Sequence, residues 1–210
     1  MRKLKVILLE ASLELAPSNW PYGPLIDKRY HYHKLSNFPQ KWKRGRPDIL
    51  HTTLLILQDS VLNREGLLEL YFHTITGEVY KVRSDERVPK HYDAFKEIMA
   101  QLLQYGKVPR DSEEPLIWKA YDDLSQFVKD HGKFILMHEK GELRRVSEVV
   151  SEAIETNAAI GIGVFPRGDF RRSTIKKARK LYSIWKDSLK AWTVACKLVS
   201  SAEELLIQFS

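Results

Sequence analysis

The sequence predicts an α/β fold in which a sheet has both faces covered by helices. Apolar runs typical of buried strands alternate along the chain with segments whose apolar residues recur every three or four positions. The 210 residues are enough for one compact domain, and no internal repeat or linker divides them. We therefore expect a single domain over residues 1–210.

The first half of the chain is predicted to contain a strand, a helix and a hairpin. Val6–Leu9 is typical of a buried strand, and Asp48–Gln58 is apolar enough for a buried helix. Leu67–Phe72 and Val79–Val82 flank a Thr-Gly-Glu turn, which predicts a β-hairpin. The polar and aromatic segment 17–47 is too long for an ordinary loop, so we expect it to be functional or to contain another element.

The second half is predicted to alternate helices with strands. Apolar residues between Phe95 and Leu103 have the spacing of one helix face, and the same spacing over Ile117–Val128 predicts another helix. Ser173 is expected to cap a short helix within a basic segment. The remaining predictions are strands at Phe134–Met137 and Ala158–Val164 and helices at Val146–Ala153 and Leu189–Val199.

Positive charge is concentrated in three groups. The formal net charge is +7. Lys41–Arg46 holds four cations and the indole of Trp42, and further basic residues cluster within 83–90 and 167–180. Cations contact phosphates and an indole stacks on an unpaired base, so the pattern favours an RNA or DNA partner. For any one group, ordinary solvated surface charge is the alternative.

The composition argues against several other classes of protein. The apolar stretches are shorter than the ~20 residues that cross a bilayer, and the amino terminus lacks the apolar core of a signal peptide. We therefore expect a cytoplasmic protein without membrane contact. Cys196 is the only cysteine, so it allows no intrachain disulfide, and its apolar surroundings predict a place in the core. The histidines lack metal-ligand spacing, so no metal is expected.

The stretch Gly161–Phe170 follows the apolar segment 158–160 of a predicted strand and is rich in glycine. Glycine has no Cβ, so backbone N–H groups in such a loop can approach a ligand closely. Asp169 stands where a P-loop needs lysine, and Pro166 stands where a dinucleotide-binding loop needs glycine. The stretch therefore suits a ligand other than a polyphosphate, and a glycine turn without a ligand is the alternative.

Arg46 and Asp48 flank the proline that begins the predicted helix. Asp48 is close enough in sequence to hold the Arg46 guanidinium in a fixed orientation, as recognition of a phosphate or base requires. A plain helix start with a surface ion pair is the alternative. Asp59 and the residues after it are typical of a turn at the end of this helix.

Several blocks of the chain together resemble the ribosome-biogenesis family of pseudouridine N1-methyltransferases. This family belongs to the SPOUT superfamily and acts on small-subunit rRNA in archaea and eukaryotes. The resemblance covers Val6 to about Leu198, and the absence of an amino-terminal extension is similar to archaeal members. The blocks that carry it are Asp27 with His31-Tyr-His33, Gly45–Ile49 with His51, Asp59-Ser60 with Asn63 and Gly66, Tyr71–Thr74, Glu86–Lys90 and Gln101–Leu103.

The resemblance implies a SPOUT-type sheet with helices on both faces and a trefoil knot in the carboxy-terminal part, about residues 131–200. It also implies an inserted RNA-binding segment at about 17–90, a homodimer, and S-adenosylmethionine as methyl donor. The expected partners are small-subunit rRNA and, as a further expectation, ribosomal proteins of the small subunit.

The resemblance also implies which residues form the sites. RNA contacts map onto Arg46, held by Asp48, and onto Arg87 and Lys90, while Ala94 replaces a further cation of the family. Ser188-Leu189 replaces the family's aromatic residue followed by proline. The donor contacts map onto Leu136, Gly163, Gly168, Asp169, Phe170, Trp185, Lys186, Asp187, Ser188, Leu189 and Lys190.

The implied reaction is methyl transfer to N1 of pseudouridine. The sulfonium donor is already activated, so the enzyme mainly orients N1 towards the methyl group. The target base must leave any stack to reach the site. N1–H must lose its proton, and Asp59 is the predicted acceptor on chemical type alone. The alternative function is a non-catalytic rRNA-binding assembly factor of the small subunit.

Overall fold

The computed structural model describes residues 2–207 and contains a central mixed sheet. Within these residues, eight strands form one sheet in the order β4-β5-β3-β2-β1-β7-β6-β8. The strands are β1 (Leu4–Ala11), β2 (Leu68–Thr74), β3 (Val79–Val82), β4 (Lys107–Val108), β5 (Ile117–Tyr121), β6 (Phe134–Leu143), β7 (Ala159–Gly163) and β8 (Ala178–Ser183).

The sheet has a parallel part and an antiparallel edge. Strands β2, β1, β7, β6 and β8 are parallel to their neighbours in this series, whereas β3, β5 and β4 extend one edge in antiparallel fashion. The carboxyl ends of β6, β7 and β8 therefore meet at one edge, which is where open α/β sheets bind ligands.

Helices cover the sheet and connect its strands. Two short 3-10 helices, His33–Asn37 and Lys41–Lys43, lie in the long amino-terminal segment, which therefore contains further elements, as predicted. The α-helices are α1 (Lys28–His31), α2 (Pro47–Asp59), α3 (Val61–Arg64), α4 (Tyr92–Tyr105), α5 (Leu124–His131), α6 (Val146–Glu155), α7 (Arg172–Ile175) and α8 (Ala191–Leu206).

Alternate residues of β1 enter two different apolar clusters. Val6 and Leu8 pack in a large cluster that includes residues of α2, α4, α6 and α8. Ile7 and Leu9 point to the opposite face and pack with residues such as Phe127 of α5. Because side chains alternate along a strand, a run apolar at every position requires cover on both faces. The predicted α/β class with both faces covered is therefore confirmed.

Most of the predicted elements are present, and some predictions were wrong. Ile117–Tyr121 is a strand rather than the start of a helix, because Asp123 caps a separate helix that begins at Leu124. The basic segment contains the strand β8, which the sequence analysis missed. Ser173 lies inside α7 instead of capping it, and Cys196 is exposed on α8 rather than buried in the core.

Candidate functional site

A cavity of about 640 Å³ opens beside the middle of β6 and at the carboxyl ends of β7 and β8. Three segments form most of its wall: residues 137–140 of β6, the glycine-containing loop after β7, and the loop between β8 and α8. Arg46 and Ile49, at the start of α2, complete the wall from the side of the large apolar cluster. The chain thus brings together segments that are far apart in sequence.

Most of the predicted donor-site residues line this cavity. Leu136 is fully buried on β6, and Lys186 is exposed; both lie outside the lining. Arg46, predicted as an RNA contact, lies in the lining. The predicted donor-site residues in the lining are Gly163, Gly168, Asp169, Phe170, Trp185, Asp187, Ser188, Leu189 and Lys190.

Asp169 presents a carboxylate in the cavity wall and is held by His138. The Nδ1 atom of His138 accepts the backbone N–H of Lys140 at 3.1 Å, so Nε2 carries the proton and donates to Asp169 Oδ1 at 2.8 Å. The N–H of Phe170 also donates to that oxygen at 2.7 Å. Burial raises the pKa of Asp169, but the hydrogen bonds from His138, Phe170 and Lys140 outweigh it and leave the pKa below its usual value.

His138 is a site residue that the sequence analysis did not find. It lies in the middle of β6 as the last residue of the buried run Phe134–His138, and its side chain is almost fully buried. No local sequence pattern identifies it, because its role depends on Asp169, which lies 31 positions further along the chain.

Aromatic side chains form the apolar wall of the cavity. The rings of Phe165 and Phe170 meet edge to face at 5.1 Å between centroids. A Cβ built on Gly163 would lie 2.7 Å from Cζ of Phe170. The packing of these rings therefore requires glycine at position 163, and the predicted close approach of a ligand at this residue stays a prediction.

Arg46 and Asp48 form the two-pronged ion pair that the sequence predicts. Arg46 Nε donates to Asp48 Oδ1 at 2.8 Å, and Nη2 donates to Oδ2 at 2.7 Å. The hydrogen bond to Asp48 raises the pKa of Arg46, so the guanidinium stays charged. Both side chains are about 40% exposed, at 39% and 41%. The pair therefore presents a fixed cation at the rim of the cavity.

Arg87 and Lys90 are carried by a loop that is docked onto α2. The side chain of Gln58 accepts the N–H of Val88 at 3.0 Å and donates to the carbonyl of Glu86 at 3.0 Å. His51 Nε2 lies 2.7 Å from the carbonyl oxygen of Pro89. These bonds fix the loop, so α2 supports Arg46 at its start and the other two predicted RNA contacts further along.

Asp59 lies at the opposite end of α2 from Arg46. A helix of 13 residues is about 20 Å long, and Asp59 lies outside the cavity lining. Its exposed carboxylate accepts a hydrogen bond from Arg64 at 2.8 Å, and this bond lowers its pKa. The structure therefore does not bring Asp59 together with the cavity residues of the same chain, and its role as proton acceptor stays a prediction.

Two further features bear on the class of protein. No three His, Cys, Asp or Glu side chains within residues 2–207 are arranged to hold a metal ion. The helices in this range are also too short or too polar to cross a membrane.

The fold and the site together define an α/β protein with a cavity suited to a small organic ligand and a fixed arginine at its rim. Comparison with known proteins places it in a family: residues 6–203 match the model of the EMG1/NEP1 methyltransferases, and the chain belongs to this family. The family resemblance predicted from the sequence is thereby confirmed.

Individual relatives match over nearly the whole chain. The ribosomal RNA small subunit methyltransferase Nep1 of Aeropyrum pernix is 42% identical over 224 residues, covering 99% of this chain and 100% of the relative. The protein of the same name from Staphylothermus marinus is 37% identical, with 96% of each chain covered. The crystal structure of Archaeoglobus fulgidus Nep1 bound to S-adenosylhomocysteine superposes with a TM-score of 0.82 at 28% identity, covering 98% of this chain and 99% of the other.

Proposed function

We propose that the protein methylates small-subunit rRNA with S-adenosylmethionine as donor, and that the target is N1 of a pseudouridine. Full-length similarity to small-subunit rRNA methyltransferases carries the first part of this proposal. The pseudouridine target rests on the sequence blocks described above. A solved relative that binds S-adenosylhomocysteine, the product left by such a donor, supports the choice of cofactor.

The cavity suits S-adenosylmethionine in size and chemistry. About 640 Å³ is in the range of small-molecule sites, and aromatic rings with a few fixed polar groups are typical of them. The cofactor supplies a methyl group activated by a sulfonium. The carboxylate of Asp169, fixed by His138, can pair with a positive charge of the ligand or accept a hydrogen bond from one of its hydroxyl groups. The loop Trp185–Lys190 offers main-chain groups from the other side.

Within this proposal, RNA lies along α2 and the loop docked on it. Arg46, preset by Asp48, approaches the target nucleotide because it reaches the cavity wall. Arg87 and Lys90 contact phosphates further away. A fixed guanidinium at the cavity rim orients a base or phosphate without losing much side-chain entropy on binding.

Asp59 can accept the N1 proton only if the protein is a dimer. Asp59 lies at the far end of α2 from the cavity of its own chain, so its carboxylate must serve the cavity of a second subunit. Exposed apolar side chains support such a dimer: Trp185 is 54% exposed and Leu205 is 50% exposed. A two-fold interface would cover them and place RNA across both chains.

The finer features of the fold belong to the same proposal. The chain runs from β6 to β7 and then crosses β6 to form β8 on its other side, and this crossing is the step at which a trefoil knot would form. We assign the knotted, donor-binding part to about 131–200 and the RNA-binding insertion to about 17–90 within one domain. Action on rRNA during ribosome assembly, beside ribosomal proteins of the small subunit, implies a cytoplasmic location.

Incubation with S-adenosylmethionine and a pseudouridine-containing stem-loop RNA tests the function. The RNA should gain the mass of one methyl group in place of a proton. A non-catalytic assembly factor would bind the RNA and leave its mass unchanged. A thermal-shift measurement with S-adenosylmethionine separates the two further, because a ligand that binds the folded state raises the melting temperature.

A further inference from the structure

The short 3-10 helix Lys41–Lys43 is anchored in the protein by a buried ion pair. Lys43 Nζ lies 2.5 Å from Glu10 Oε2, and the two side chains are 2% and 0% exposed. Glu10 lies near the end of β1, where its backbone has a φ of 54°. A left-handed conformation is unfavourable for a residue with a side chain, so the surrounding contacts must hold Glu10 in place.

The other carboxylate oxygen of Glu10 holds the end of the glycine-containing loop. Glu10 Oε1 accepts the backbone N–H of Arg171 at 2.8 Å. Arg171 in turn donates from Nη2 to the carbonyl of Ile75 at 2.7 Å. Glu10 thus joins the basic segment before α2 to the loop that forms one wall of the cavity.

Two more contacts join the same segment to the loop. The ammonium of Lys43 lies 4.1 Å from the ring centroid of Phe165. The indole of Trp42 lies against Gly168, because a Cβ built there would be 2.7 Å from its Nε1. Trp42, Lys43 and Glu10 all lie outside the cavity lining, so they can affect a bound ligand only through the residues that they hold in place.

The segment is also rigidly connected to Arg46. Gly45 accepts the N–H of Lys28 at 2.8 Å, and a Cβ on Gly45 would lie 2.9 Å from that nitrogen. Arg46 then donates its backbone N–H to Ser12 Oγ at 3.0 Å. The backbone between Lys43 and Arg46 is therefore fixed in place and is not a free linker.

We propose that Trp42 and Lys43 are positioning residues that link the RNA-binding surface to the methyl-donor loop, so that RNA and donor bind with linked affinities. The inference rests on the proposed function. Replacing a buried ion pair by neutral groups of similar size often leaves a protein folded, whereas removing one partner leaves an uncompensated buried charge. The pair can therefore be neutralised as a whole to test its coupling role.

The test is a binding cycle with the double variant Lys43→Met/Glu10→Gln. Calorimetry measures the affinity of S-adenosylhomocysteine with and without a saturating pseudouridine-containing stem-loop RNA, at fixed salt. The matched control is Arg44→Met/Glu14→Gln. Arg44 belongs to the same segment and forms its own partly buried ion pair with Glu14, and its other hydrogen bond goes to Pro39 rather than to the loop.

In the wild type and the control, RNA should change the affinity for S-adenosylhomocysteine about 5-fold or more. In the Lys43→Met/Glu10→Gln variant, this factor should fall towards one while each ligand still binds. Trp42→Ala, which leaves the ion pair intact, should also reduce the factor. A general loss of stability would affect the variant and the control alike. It would leave unchanged the ratio between the affinities for S-adenosylhomocysteine with and without RNA.

Three outcomes overturn the inference. Wild-type protein that binds both ligands without linkage would refute the coupling and leave the proposed function standing. Equal linkage in the double variant and the wild type would show that the pair is not the connection. A wild-type protein that binds neither ligand would refute the proposed function and the coupling with it.

Discussion

Gly168 lies directly beneath the indole of Trp42. A Cβ built on Gly168 would lie 2.7 Å from Nε1 and 2.9 Å from Cδ1 of that ring, and its backbone has a φ of +89°. The residue is glycine because of both its backbone conformation and a neighbouring side chain. The basic segment Lys41–Arg46 thus covers the outer side of the glycine-containing loop. Any side chain at position 168 would push the two segments apart.

Gly168→Val should therefore abolish S-adenosylmethionine binding by displacing the loop. Gly77→Val is the matched control: Gly77 also has a positive φ, at +126°, but a Cβ there would meet nothing within 4 Å. Both substitutions strain the backbone, and only Gly168→Val adds a collision with Trp42. Calorimetry on the folded variants measures the outcome, and an unchanged affinity in Gly168→Val would place the donor elsewhere.

Arg46→Ala should weaken RNA binding by about 1–3 kcal/mol and leave donor binding nearly unchanged. Asp48→Gly should weaken RNA binding through Arg46, since the two-pronged pair fixes the guanidinium. In the Arg46→Ala background, Asp48→Gly should then cost little further RNA affinity. The double-mutant cycle is measured on one stem-loop RNA at fixed salt.

The control for this cycle removes a cation elsewhere. Lys119 is paired with Asp122 at the antiparallel edge of the sheet, and Lys119→Ala changes the net charge as Arg46→Ala does. It should alter RNA affinity only through the long-range field. Strictly additive losses at Arg46 and Asp48 would show that Asp48 only supports the start of α2.

Buried His73 should make the protein less stable in acid. Burial lowers the pKa of His73 to about 4, whereas a histidine in the unfolded chain titrates at ~6.5. As the pH falls between these values, the unfolded chain binds a proton that the folded chain does not. The free energy of unfolding is therefore highest above pH ~6.5 and should fall by up to about 3 kcal/mol by pH ~4.

Urea denaturation across this pH range measures the effect in the wild type and in His73→Asn. Asparagine keeps an acceptor for the backbone N–H of Glu10, which donates to His73 Nδ1 at 3.2 Å. The variant should lose less stability between pH ~6.5 and ~4. Identical pH dependence in both proteins would show that His73 is not the responsible group.

In solution, the protein should be a dimer at micromolar concentration. Light scattering should give twice the 24.5 kDa mass of one chain. The exposed apolar residues Trp185 and Leu205 provide surface for a two-fold contact, and Leu205→Lys should weaken it. A monomeric mass for the wild type would remove the interface and also the route by which Asp59 could reach a donor cavity.

The fold was predictable where local pattern and tertiary environment agree. The apolar run of β1 and the helical spacing of α4 each identify their element, because burial on both faces or on one face leaves a clear period. The strand β8 was missed because it lies at the edge of the sheet and its two cations, Arg179 and Lys180, are exposed there, which interrupts the apolar pattern of a buried strand. The helix predicted over Ile117–Val128 was wrong in its first half, because the chain forms β5 up to Tyr121. Asp123 then caps a new helix, and the helical spacing of the apolar residues does not show this boundary.

The site was predictable in part, and for a different reason. The glycine-containing loop and Arg46 carry local signals, in glycine content and in the Arg-Pro-Asp order. His138 and the buried pair of Glu10 and Lys43 carry none, since 33 residues separate the partners of that pair. A charged side chain becomes buried only through its tertiary partner, and one sequence does not specify which partner that is.

The most direct test of the account is a mass measurement on two stem-loop RNAs that differ only in pseudouridine or uridine at one loop position. Each is incubated with the protein and S-adenosylmethionine, digested, and analysed nucleoside by nucleoside. We predict one added methyl group on the pseudouridine, because its N1 is free, and none on the uridine, whose N1 is bonded to the ribose. An unmodified pseudouridine, or equal methylation of both RNAs, would contradict the account.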